Sequence, residues 1–207
     1  LVAAWKGLAG CLPYRRDVIQ EGRVSRAGES IAGDVRASFV PTAFGERVAL
    51  RLFGRLRRLS EIGLSAGDAR ALEGALEARG GLLLVSGSSG AGKTTTLYAA
   101  LAHIAATRTG AHLSLEDPVE QRLRAAGIPV DQVELDPANG RSGEAMLAAA
   151  LRQDVDVIAL GEIRTPAEAS LVVHAAHTGR LVLAGVHAGA PAEARQRLLD
   201  LGAAPAL

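Results

Sequence analysis

The stretch GSSGAGKTTT, residues 87–96, sets Gly87, Gly92, Lys93 and Thr94 in the spacing G-x-x-x-x-G-K-[ST], after the apolar run LLLVS and before a helix-like segment. That pattern cradles phosphate. Its glycines let the backbone N–H groups from Ser88, Ser89, Gly90 and Ala91 onward curl round phosphate oxygens, and the helix beginning at Lys93 adds the positive end of its dipole. The Lys93 ammonium has the charge and reach for β- and γ-phosphates, the Thr94 hydroxyl suits Mg2+, and Thr95 completes the binding stretch. A strand before and a helix after separate this motif from a Gly/Ser turn that happens to contain lysine.

Three further side chains close strand-like runs. HLSLE stops at Glu116, VDVIALG stops at Glu162, and RLVLAGV stops at His187. In an open parallel sheet, ligands bind beyond the carboxyl ends of the strands, so these groups are expected to converge on the same phosphates. Glu116 and Glu162 are candidates for orienting the attacking water and for contact with the hydration shell of Mg2+, in either order. His187 is placed to sense the γ-phosphate. His103, His112, His174 and His177 read as structural; the last two stand three apart on a helix with no third ligand, and no metal site is assigned to them.

The elements that must position these groups alternate along the chain. Ser65 starts a helix over AGDARALEGALEARG, with Asp68 three residues on, and Gly80 and Gly81 end it. Strand LLLVS, a helix from Lys93 to about residue 107, strand HLSLE, a helix near 143–152, strand VDVIAL, a helix over 166–177 and strand RLVLAGV follow. Buried parallel strands joined by crossover helices are the expected architecture. Ahead of them, residues 1–54 read as a small α/β unit with an opening helix and the β-like runs DVRASFV and RVALRLF; 55–64 reads as a linker.

Composition narrows the class. With 48% hydrophobic, 22% charged and 3% aromatic residues among 207, the chain reads as α/β with an aliphatic core. A net charge of +1 gives no broad attraction for nucleic acid, and RLFGRLRRL at 51–59 reads as a solvated basic stem. The single cysteine, Cys11, excludes an internal disulfide and a Cys-rich zinc site in this chain and fits a reducing, cytoplasmic setting. No apolar run approaches the roughly 20 residues of a membrane span. The start at Leu1 and the end LGAAPAL read as those of a fragment.

On these motifs the chain resembles the secretion ATPases of type II secretion and type IV pilus machines, a branch of the RecA-like P-loop NTPases. The likeness rests on QEGR (20–23), VRASFVPTAFGERVALRL (35–52), GSSGAGKTTTLY, LEDPVE, LRQDVDVIALGEIR (151–164) and AAHTGRLVLAGVHA (175–188). It implies an α/β fold in which a RecA-like motor domain over 65–207, truncated at its C-terminus, follows the end of a smaller N-terminal domain. It further implies a homo-hexamer that hydrolyses ATP with Mg2+, and inner-membrane platform proteins as partners. Direct contact with nucleic acid is not expected, and membrane association is expected only through those partners. In the family, arginines of the smaller domain approach the phosphates; the matching positions are Arg23, Arg36 and Arg51.

The chain departs from the family pattern where His usually stands at Arg180, Asp at Thr165, Thr at Gly185, Pro at Val155 and Arg at Ala148. It also lacks the four-cysteine insertion of longer members. The resemblance therefore implies an ATP-driven motor for a pseudopilus or pilus. The departures leave two alternatives beside it: a nucleotide-dependent ring subunit with little turnover, or a related motor for DNA uptake or conjugation.

Overall fold

The alternating apolar residues of VRASFVPT build the middle of a three-stranded antiparallel sheet, ordered β1 (Gln20–Val24), β2 (Val35–Thr42), β3 (Gly45–Leu52). Val35, Ala37 and Phe39 pack with Ala9 and Val24, and helix α1 (Val2–Leu8) lays Val2 and Trp5 over them. Lys6 is fully buried in this small core, which its charge permits because it is paired with Glu46, donates to the Arg15 carbonyl at 2.5 Å and lies 5.6 Å from the Phe39 ring centre. The strand over 20–24 is polar enough that the sequence pattern did not mark it; it forms by pairing with β2.

The computed structural model describes residues 1–24 and 34–203, and these fall into two units, Leu1–Leu56 and Arg57–Leu207. Residues 204–207, the last of the expected motor domain, lie outside the described residues, as do 25–33 of the smaller one. In the second unit, Leu59–Glu61 forms a 3-10 turn, and buried Leu59 belongs to a segment packed on the helix that follows the phosphate loop. Helix α2 (Ala66–Leu76) starts at Ser65, whose hydroxyl accepts the Asp68 N–H, and ends at Leu76, one turn before the glycines expected to stop it. Gly80 has another use: a Cβ there would lie 2.8 Å from the Gly179 backbone.

The second sheet is parallel throughout. Strands β4 (Gly81–Ser86), β5 (His112–Glu116), β6 (Asp131–Glu134), β7 (Val157–Leu160) and β8 (Leu181–Val186) lie in the order β4-β8-β7-β5-β6. β7 and β8 are buried along their whole length, as unbroken aliphatic runs covered on both faces should be. Helices α4 (Gly143–Ala150), α5 (Pro166–His177) and α6 (Pro191–Asp200) contribute Leu147, Val172 and Leu198 to one cluster with Ile158, Val182 and Leu115. Helix α3 (Lys93–Thr107) packs on β4 and β8 from the other face, where its Tyr98 meets Glu116, the strand neighbour of Leu115 that points the opposite way. Among the described residues no helix is long and apolar enough to cross a membrane.

His112 opens β5 at 4% exposure, and among the described residues neither ring nitrogen has a hydrogen-bond partner within normal distance. Burial holds its pKa below the usual value; the Arg108 charge acts in the same direction, while the Pro129 backbone and Asp156 act against it. Both states are neutral above the unfolded pKa of about 6.5; below it the unfolded chain takes the proton first and stability falls until the lower folded pKa is passed. Urea midpoints should therefore drop between pH 7.5 and 5.5, and His112→Leu should flatten that part of the profile.

Candidate functional site

The glycine loop is built to leave donors free. Helices α2, α4 and α5 are capped by the hydroxyls of Ser65, Ser142 and Thr165, whereas α3 begins at Gly92 in the left-handed conformation (φ 98°) with no side-chain cap hydrogen bond. Its leading N–H groups thus face outward with the positive end of the dipole. Gly90 also has positive φ (78°), and a Cβ on Gly87 would come within 2.8 Å of Ala91 Cβ. Lys93 bends across the loop, donating to the carbonyls of Gly87 at 2.8 Å and Ser88 at 3.1 Å. Thr96 spends its hydroxyl on the Gly92 carbonyl; that of Thr94 has no protein partner among the described residues. Free amides, a lysine over the loop and an unspent hydroxyl fit a nucleotide phosphate chain with Mg2+.

Parallel register puts the other candidates on the same edge. Gly87 N–H bonds the Val186 carbonyl at 3.3 Å, Ile163 N–H bonds Gly185 at 2.9 Å, and Gly161 N–H bonds Leu115 at 2.9 Å, so the ladder runs on past the strand ends. With about 4.8 Å between strands, His187 follows the strand adjacent to β4, Glu162 leaves the sheet about 10 Å away, and Glu116 about 14 Å away. His187 is exposed there. The three candidates share the edge at unequal depth.

Glu116 is buried at 6% exposure with both carboxylate oxygens engaged: Tyr98 donates its hydroxyl to Oε2, and Gln132 donates to Oε1 at 2.9 Å. Burial pushes its pKa up, against the pull of these donors. Burial likewise raises that of Tyr98, helped by the charge of Glu116. The Tyr98 oxygen accepts the N–H groups of Glu120 (2.9 Å) and Gln121 (3.1 Å), and Gln132 also bonds the Gln121 carbonyl. A buried carboxylate, a helix of the phosphate loop and the backbone of LEDPVE are thereby tied together. Tyr98 could have been flagged by its place in GSSGAGKTTTLY. Gln132 could not, because DQVE is too short and polar to read as a strand.

Glu162 is less constrained, with Arg164 Nε donating to its Oε2 at 3.3 Å. Thr165, where the resemblance expects Asp, caps α5: its hydroxyl accepts Glu168 N–H at 3.2 Å, and Glu168 accepts the N–H groups of Thr165 at 3.0 Å and Arg164 at 2.8 Å. Asp is at least as good an N-cap as Thr. Thr165→Asp should leave the denaturation midpoint unchanged or slightly raised, while Thr165→Ala should cost about 1 kcal/mol, read by chemical denaturation.

The other departures have structural roles as well. Arg180 precedes β8 and so lies at the amino edge of the sheet, a full strand length from the loop after β4; within the chain it cannot meet a phosphate bound there. Its guanidinium instead bonds the Leu151 carbonyl at 3.1 Å and Thr178 Oγ1 at 3.0 Å. Val155 packs in the core beside α4, Ala148 is half-buried on α4, and Gly185 lies against Gly161.

In the smaller unit, Arg23, Arg36 and Arg51 are directly opposite one another across β1, β2 and β3, on the sheet face turned away from α1. Like charges in one cross-strand row repel. Arg36 pairs with Glu21, Arg23 lies 3.6 Å from Asp34, and Arg51 sits 5.9 Å from the Phe53 ring centre. The row gathers three positive charges on one sheet face, two of them paired with the acids Asp34 and Glu21.

Comparison with known proteins places this arrangement. The family model described as Type II/IV secretion system protein matches residues 15–207. The chain is 42% identical over 194 residues to Type II secretion system protein HxcR of Pseudomonas aeruginosa, covering 91% of this chain and 40% of that protein. It is 38% identical over 211 residues to Type II secretion system protein E of the same organism, covering 100% of this chain and 41% of the relative. Among solved structures, the pilus retraction motor PilT with bound ADP superposes with a TM-score of 0.76 at 27% identity, over 91% of this chain and 53% of that one. The chain thus spans less than half the length of the curated relatives it matches.

Proposed function

The chain belongs to the type II/IV secretion system protein family, and from that footing we propose that it is part of a Mg2+-dependent ATPase that works as a homo-hexameric ring. Its larger unit has the RecA-like P-loop fold of the secretion ATPases. The ring would drive a type II secretion pseudopilus or a type IV pilus from the cytoplasmic side, through platform proteins of the inner membrane.

The observation that carries this reading is the start of α3, where an uncapped left-handed Gly92 leaves amides free beneath the Lys93 ammonium. Backbone N–H groups of residues 88–90 and 92–94 would hold the phosphates, Lys93 would neutralise charge on the β- and γ-oxygens, and the Thr94 hydroxyl would hold Mg2+. Bound there, Mg2+ would offset charge on the phosphate oxygens. Glu162 is the candidate to orient the attacking water and to contact the ion's hydration shell, because Glu116 already spends both oxygens on Tyr98 and Gln132. Glu116 then shapes the LEDPVE loop. His187 would report the γ-phosphate, and the planar forks of Arg23, Arg36 and Arg51 are of the kind that binds phosphate oxygens. Thr165 is accounted for by capping and Arg180 by its bonds at the amino edge of the sheet, which weakens two of the three departures, Ala148 being the third, that favour a ring subunit without turnover.

The test is turnover by the full-length protein: phosphate release that needs Mg2+ and is lost in Glu162→Gln while nucleotide binding persists. A folded, ring-forming protein without measurable turnover would sink the motor reading.

A further inference from the structure

We propose that Arg164 is a positioning residue for Glu162, holding its carboxylate in working orientation by bridging it to Asp117 across neighbouring strands. The inference rests on the nucleotide-site reading above. Arg164 Nη1 donates to Asp117 Oδ2 at 2.5 Å and its Nε donates to Glu162 Oε2 at 3.3 Å. Asp117 follows β5 and Glu162 follows β7, two strands paired directly, so two negative side chains leave the sheet side by side. Unbridged, they would repel. A guanidinium serves both because its planar fork offers donors on two edges and keeps its charge, and the two acids in turn push its pKa up.

The bridge has a rigid base and a free tip. The Arg164 N–H is fixed by Glu168, which is 6% exposed and packed so closely on α4 that a Cβ at Gly143 would lie 2.0 Å from Glu168 Oε1. At the other end the side chains of Arg164, Asp117 and Glu162 are 54%, 47% and 31% exposed. Pairs this exposed add little to stability, so their removal should spare the fold. What they fix is direction: the Glu162 side chain has Arg164 as its hydrogen-bond partner, and Arg164 is aimed by Asp117. Partners one step removed from a metal or catalytic group act in this way, and losing them costs about 10–100-fold in metal affinity or activity.

The experiment uses the full-length protein with Arg164→Ala, Arg164→Lys, Asp117→Asn and the Arg164→Ala/Asp117→Asn double variant. ADP affinity is measured in EDTA and in Mg2+, together with kcat, KM for ATP and the melting temperature. Melting temperature and EDTA affinity should match the unaltered protein. In Arg164→Ala the gain in affinity from Mg2+ and the kcat should each fall about tenfold or more with little change in KM. Arg164→Lys should recover part of both, and the double variant should be no worse than Arg164→Ala, since the two changes break one bridge. Arg164→Ala within about twofold of the unaltered protein in both readouts, or single defects that multiply in the double variant, would overturn the bridge. If the unaltered protein binds ADP with a gain from Mg2+ but does not turn over, the motor reading fails and the affinity readout still decides the bridge. A protein that binds no nucleotide overturns both.

Discussion

Lys93→Ala is expected to weaken ATP binding or turnover of the full-length protein by about 10²-fold or more, with secondary structure and melting temperature preserved. The ammonium lies over the loop, held at 2.8 and 3.1 Å from the Gly87 and Ser88 carbonyls. Those carbonyls are close to solvent, so water replaces the lost donor at small cost. Alanine is also at least as good a helix former as lysine at the first position of α3. The two effects therefore separate: binding of charged phosphate loses a charge-assisted contact, while folding loses almost nothing. Titration of a fluorescent ATP analogue alongside a thermal melt measures both. Unchanged affinity would mean that residues 87–96 form a turn and nothing more.

The parts of the site that were legible in the sequence are those fixed by local rules. Helices over Lys93–Thr107 and Pro166–His177 have the limits that the phosphate motif and the Thr165 cap dictate. The unbroken aliphatic runs of β7 and β8 declare buried parallel strands, and those strands place the ends that bear Glu162 and His187. Elements that depend on partners were not legible. β1 and β6 are short and polar and exist through pairing with β2 and β5, while α6 is too rich in charge to stand out as a core helix.

Side-chain roles set by tertiary contacts were hidden for the same reason. Glu116 at a strand end looks like Glu162 until Tyr98 and Gln132, from a helix and a strand elsewhere, are seen to occupy its oxygens. The cross-strand row of Arg23, Arg36 and Arg51 requires the register of three strands, one of which the pattern did not show. Arg180 stands out in the sequence only as a position where the family usually has His, just ahead of the strand that ends at His187. A strand has two ends, however, and only its carboxyl end faces the phosphate loop.

Gly185→Thr, which would install the residue the family usually has, is expected to lower the melting temperature. Two effects compete. Threonine favours strands, and glycine disfavours them, by up to about 1 kcal/mol in Thr's favour. Against that, a Cβ at Gly185 would lie 2.0 Å from the Gly161 carbonyl oxygen, which belongs to backbone and cannot swing aside. Overpacking of a core costs about 1–3 kcal/mol, so the clash should win. Gly185→Ala should show most of the same loss, because Cβ alone makes the collision. The consequence reaches the chemistry: Gly161 N–H is bonded to Leu115 and Ile163 N–H to Gly185, which pins the backbone on both sides of Glu162. Displacing the Gly161 carbonyl would move Glu162, so turnover should fall further than stability predicts, while Lys93-dependent nucleotide binding holds. A stabilised Gly185→Thr protein would show that the turn after β7 yields freely, and Glu162 would then owe its position to Arg164 rather than to the packing beneath it.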